Sequence, residues 1–164
     1  MLPKRSLGPS RTPTGDPLRR RFGEKPTQPS TMIEIVIPGN PTTKKNSRTA
    51  RTGRTKDGRI YHYQGPSVKF TEYQKAAAPH LVIPPDRKKE FPINYPVNVK
   101  CIYYRDSLKR CDLSNLHEAT DDILVYYGIL KDDNFMIVAG HDGSRVKVDR
   151  VNPRTEIFIT RMEE

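Results

Sequence analysis

The sequence predicts an α+β fold: a single domain in which two main helices cover one face of a mixed β-sheet. Three observations point there. Apolar residues alternate with polar ones in MIEIVI (32–37) and in PVNVKCIYYR (96–105), the period of half-buried strands. A helical apolar stripe runs from Leu113 to Tyr127 and stops at Gly128. The chain has 164 residues, 34% of them hydrophobic, enough for one domain with a modest core.

Taken in order, residues 1–31 differ in composition from the rest. They hold six of the 15 prolines and seven basic residues against Asp16 and Glu24, with no apolar period. Such a segment buries too little surface to fold, so it reads as a disordered basic arm, or as sequence ahead of a start at Met32. The folded domain is expected over 32–164. Its first strand, 32–37, ends at Pro38-Gly39-Asn40-Pro41. Between Lys44 and Arg59 seven basic residues face Asp57 alone, which predicts a flexible basic loop. Lys44, Lys45, Arg48, Arg51 and Arg54 are its candidate phosphate contacts, the alternative being a solvated loop. Tyr61 and Tyr63 alternate in a short strand and are candidates for stacking on bases, or for packing.

VKFTEYQKAAA (68–78) predicts a helix capped by Ser67 or Thr71, with Phe70 and Tyr73 inward. Pro79, Pro84 and Pro85 then predict an exposed linker. The strand PVNVKCIYYR puts Val97, Val99, Cys101 and Tyr103 on one face, and the basic turn with Arg105, Lys109 and Arg110 leads to Asp112. After the 113–127 helix, FMIVAGHDGSRVKVDR predicts a hairpin turning at Asp142-Gly143, and RTEIFITR predicts the last strand. Arg145 and Arg154 flank these turns as further candidate DNA contacts.

Charge marks the functional stretch. The chain carries a formal +10, yet Asp112, Glu118, Asp121, Asp122, Asp132 and Asp133 gather within DLSNLHEATDDILVYYGILKDDN (112–134). Glu118 and Asp122 are one helical turn apart. Clustered carboxylates repel, so the pattern is either a solvated acidic face or a site for a hard cation such as Mg²⁺ or Mn²⁺. His117 is expected to pair locally with Asp121, and His141, at a turn, to be a bystander. Cys101 and Cys111 are expected to be free thiols, since their number and spacing fit neither a bridge nor a zinc site. The sequence contains no apolar run of membrane-spanning length and no apolar signal segment, which points to a cytoplasmic protein.

DL-x-NL, a helix, and then G-x-x-x-DD before a strand resembles the signature of the RusA family of Holliday junction resolvases. HDGSR, NPRTEIFI and the opening IPGNPTTKKNS resemble phage-type members, and the similarity spans about residues 32–161. The resemblance implies an Mg²⁺-dependent endodeoxyribonuclease, a homodimer that cuts four-way junctions in DNA recombination and repair, close to the nucleoid of a bacterial cell. It matches Asp112 to the first essential aspartate and Asp133 to the second acid of the later pair, with Asp132 beside it. Two positions depart from the family: Ser114 stands where a second aspartate is usual, and Glu118 where a lysine is usual. The expected ligand set is therefore Asp112, Asp133, Asp132 and, as replacement, Glu118 or Asp122. The alternatives are a nucleic-acid-binding protein of the same fold that has lost its chemistry, a structural nucleoprotein component, and a nuclease of other specificity.

Overall fold

The structure is a computed structural model, and it describes residues 32–44 and 49–162. The expectations for the 1–31 arm, and for Lys45 and Arg48, lie outside these residues. The described elements are β1 (Ile33–Pro38), β2 (Thr49–Arg54), β3 (Ile60–Gly65), α1 (Val68–Ala77), β4 (Val97–Arg105), α2 (Leu113–Tyr126), β5 (Val138–Gly140), β6 (Arg145–Val148) and β7 (Arg154–Arg161).

The main sheet runs β1-β7-β4-β5, with β6 also pairing to β4. Both pairings of β7 are antiparallel, Ile35 facing Ile157 and Val99 facing Ile159. β5 and β6 are parallel to β4, so the sheet is mixed as expected. A parallel pair needs a crossover, and α2 provides it between β4 and β5. One cluster of buried residues joins Ile35, Ile37, Val97, Val99, Cys101, Tyr103, Ile157 and Ile159 of the strands to both helices. α1 contributes Phe70, Tyr73 and Ala77, and α2 contributes Leu116, Ala119, Ile123 and Leu124.

Local chemistry sets the helix ends. Ser67 Oγ accepts the Phe70 N–H at 3.1 Å and starts α1. At the end of α2, Gly128 takes a φ of 72°, Gly128 N–H bonds Val125 O at 3.0 Å and Ile129 N–H bonds Leu124 O at 2.9 Å. Those two bonds satisfy the last carbonyls and turn the chain back toward the sheet. Cys101 and Cys111 are free, and burial pushes the Cys101 thiol up to about 12, which keeps it protonated and inert.

Three expectations need correction. The hairpin expected over 135–150 is absent: β5 and β6 do not pair with each other but lie in line along one edge of β4. The Asp142-Gly143 turn is a bulge between them, with Asn98 Oδ1 accepting the Asp142 N–H at 2.7 Å and Ser144 Oγ accepting the Cys101 N–H at 2.8 Å. Side chains there replace the missing ladder bonds, and Phe135 and Met136 form an exposed turn rather than the start of a strand. The flexible basic loop is, from Thr49 onward, an antiparallel ribbon of β2 and β3. The expected exposed linker folds into two short 3₁₀ turns, and Leu81 and Ile93 beside them are buried. Ile93 also bonds both Ile129 and Lys131 through its backbone, which ties this segment to the end of α2.

Candidate functional site

α2 decides which acids can act together. Its inner stripe faces the sheet, where Tyr103 Oη and Thr120 Oγ1 are 3.0 Å apart. Glu118 and Asp122, one turn apart, stay partly accessible. Asp112 sits at the N-cap but makes no capping bond through its side chain, and Asn115 Nδ2 donates to its Oδ2 at 3.2 Å. Ten residues of helix separate Asp112 from Asp122, roughly 15 Å of rise. Two aspartates that distance apart do not meet on one ion.

Asp133 belongs to the other end. The Schellman turn carries the chain back, and partial burial, the Asp132 carboxylate and the charge of Asp122 raise the Asp133 carboxyl above the usual carboxylate range. Its neighbour Asp132 does turn-making work: Oδ1 accepts the Asp133 N–H at 2.7 Å, and Oδ2 accepts from Asn134 Nδ2 at 2.9 Å. Those donors hold the Asp132 carboxyl below its ordinary value. Asp122 has a cation already, with Lys44 Nζ 2.7 Å from its Oδ2.

Among the described residues, no three His, Cys, Asp or Glu side chains are assembled as a group able to hold a metal ion. The donor chemistry of Asp122 and Asp133 nevertheless fits a hard divalent cation. Both are carboxylates, and the Asp133 carboxyl is raised first by loss of solvent and by Asp132, with the charge of Asp122 a smaller contribution that a cation between them would relieve.

A histidine cluster forms on the inner side of α2, and sequence reasoning missed it. Asp121, expected on the acidic outer face, is buried at 5% exposure. Its Oδ2 pairs with His141 Nε2 at 2.9 Å, while Oδ1 is buried without a partner among the described residues. His141 is therefore no bystander. His117 does not pair with Asp121; it stacks on His141 with ring centroids 4.1 Å apart and planes 6° apart. The β5–β6 bulge brings these residues together, and the hairpin expected from the sequence would have sent His141 outward. Burial, together with the neighbouring His141, lowers the His117 imidazole to about 4.

The basic candidates divide. Arg54 and Arg145 are exposed. Arg51 lies across Gly65 and donates to Pro66 O at 3.1 Å, so it helps root the ribbon. Lys109 and Arg110 are exposed on the turn before Asp112, where Arg105 donates to Lys109 O. Arg154 is engaged inside the protein. It bonds Asp149 at 3.0 Å and Glu156 at 2.8 Å, and it stacks 3.7 Å over the Tyr104 ring. Its donors face carboxylates, so a phosphate contact there requires them to exchange partners.

The ribbon carries an aromatic face. Arg51, Gly53, Tyr61 and Tyr63 share one side by register, Arg51 opposite Tyr63 and Gly53 opposite Tyr61. A Cβ at Gly53 would collide with the Tyr61 ring, so the glycine lets the ring lie flat on the strand. The two tyrosine centroids are 5.7 Å apart, and both rings are about half exposed. Ile60 to Gln64 are exposed throughout, so the ribbon has solvent on both faces.

No helix among the described residues is long and apolar enough to cross a membrane. No protein-family model and no curated protein matches the chain.

Proposed function

We propose that the protein is a metal-dependent endodeoxyribonuclease of the RusA type, cutting four-way DNA junctions by phosphodiester hydrolysis. The observation that carries this reading is the Asp122–Asp133 pair: two carboxylates close enough for the charge of one to raise the other, in a chain of formal charge +10. The motif resemblance of 112–134 adds Asp112, and Glu118 stands one turn before Asp122 on the same helix face.

In this reading Asp122 and Asp133 hold Mg²⁺ or Mn²⁺, with Glu118 nearest to complete the set and Asp112 at the far end of α2. A bound divalent cation supplies Lewis-acid stabilisation of the leaving oxygen and acidifies a bound water. The protein's own part is positioning. Asp132 fixes the turn that presents Asp133, and the buried stripe of α2 fixes Asp122. Lys44, within reach of both Asp122 and a DNA phosphate, offers a cation that exchanges one anion for the other. Arg54, Lys109 and Arg110 add sequence-independent grip, so selectivity follows DNA shape and deformability rather than base edges. A twofold homodimer would match the two symmetric cuts of a junction.

One observation favours a second reading, a nucleic-acid-binding protein without catalysis. Lys44 already neutralises Asp122, and no three-donor group is assembled among the described residues. Titration with Mn²⁺ separates the two readings. The nuclease reading expects saturable binding that weakens in Asp122→Asn and Asp133→Asn, whereas a pure binder shows no such site and holds junction DNA equally well in EDTA.

A further inference from the structure

A cleft of about 380 Å³ opens between the loop after β1 and the turn that joins β4 to α2. Its walls carry Lys69 from the first turn of α1, Arg105 from the end of β4, and Lys109 and Arg110 from the turn. Asp106 is the one acid among its lining residues. Four cations around a single small cleft repel one another, and nothing in the hydrophobic core requires them there.

Two polar atoms make the cleft more than a charged surface. Thr42 Oγ1 and Arg105 Nε are buried and have no hydrogen-bond partner among the described residues, and both residues line the cleft. A buried donor left unpaired is costly, so such groups are kept where something binds them. Both are donors, and both therefore call for an acceptor. The frame is also fixed in advance: Asn40 Oδ1 accepts the Asp106 N–H at 3.2 Å, and the Arg105 guanidinium is oriented by its bond to Lys109 O.

We infer that this cleft binds a phosphodiester of the nucleic-acid backbone, one that flanks the bond to be cut. A phosphate has the charge for Lys69, Lys109 and Arg110 and the acceptor oxygens for Thr42 and Arg105. Cys111, one residue before Asp112, lines the cleft, so a phosphate seated in it lies beside the N-terminal end of α2. The site thus sets the register of the DNA. The inference rests on the nucleic-acid reading above, and adds Thr42, Lys69 and Arg105 to the residues that carry it.

The test uses inorganic phosphate as probe, in EDTA, followed by amide NMR of the full chain, with chloride as the ionic-strength control. Saturable shifts centred on Thr42, Thr43, Lys69 and Asp106 are expected, lost in Lys69→Ala and weakened in Thr42→Val. Shifts that fail to saturate, or that spread equally over the ribbon cations, overturn the site. Junction binding in EDTA gives the second readout. Lys69→Ala should lower the slope of log K against log salt by about 0.9, the value of one phosphate contact, whereas Lys75→Ala on the exposed side of α1 leaves it unchanged. Equal slopes for the two variants also overturn it. If phosphate binds but DNA does not, the cleft stands and the nuclease reading falls; if DNA is cut while both readouts stay flat, the reverse holds.

Discussion

Lys44 Nζ lies 2.7 Å from Asp122 Oδ2, linking the loop after β1 to the helix that carries the acids. Both side chains are partly exposed, at 42% and 28%, so the pair adds little to stability, about 0–1 kcal/mol. Its consequence is competition. Lys44→Gln is expected to tighten Mn²⁺ binding by up to about fivefold, the same energy expressed as affinity, while weakening junction binding. Calorimetric titration with metal, and anisotropy with DNA, check the two opposite signs.

Asp133→Asn should leave the metal-free protein as stable or more so. Its carboxyl is raised, so ionising it costs more in the folded chain than in the unfolded one, and Asp133 subtracts stability as pH rises past its ordinary range. Divalent metal should reverse this in the wild type, adding about 1.4 kcal/mol at ten times its Kd, and should add nothing in the variant. Thermal melts with EDTA and with Mn²⁺ read both effects.

Tyr61 and Tyr63 form the exposed stacking face of the ribbon. A two-stranded ribbon with solvent on both sides is marginal alone, and bases unstacked at a junction are suitable partners for its rings. Tyr61→Ala should weaken junction binding about tenfold, within the 1–3 kcal/mol typical of a stacked base, with little effect on intact duplex. Gly53→Val, which displaces the same ring, should give a similar loss. Anisotropy in EDTA with both DNAs checks this.

His117 gives the pH dependence. The unfolded chain takes up its proton near 6.5, whereas the folded protein holds it off until about 4. The stability tied to neutral His117 is therefore complete above pH 6.5 and lost as pH falls toward 4. With solvent screening of a half-buried ring, the loss is about 1–2 kcal/mol. His141→Ala removes the repelling neighbour and opens the site to water, so the His117 titration, followed by NMR, should move upward.

Much of the fold was legible because its signals are local. The Ser67 cap, the Gly128 stop and the inward face of β4 follow from residue type and spacing, and each stands where expected. The misreadings came where long-range pairing overrides local signals. Asp142-Gly143 is a good hairpin turn, but β4 offers nine residues of edge and takes up both flanking strands in parallel. Asp57-Gly58 is the same signal set in a run of positive charge, and it does turn a hairpin. Asp121 was placed outside because acids usually are, and its partner His141 stands twenty residues away on the bulge. The sequence named Asp133 and Asp122 among five candidate ligands, and the turn after Gly128, which brings the chain back from α2, decides which of them act on each other.

Incubation of a labelled four-way junction and a matched linear duplex with Mg²⁺, with Mn²⁺ and with EDTA tests the central claim most directly. The account predicts paired, symmetric nicks in the junction only when metal is present, lost in Asp122→Asn and in Asp133→Asn. Tight binding of the junction with no cleavage under either metal would contradict it, and would mark Ser114 and Glu118 as the signs of a site without chemistry.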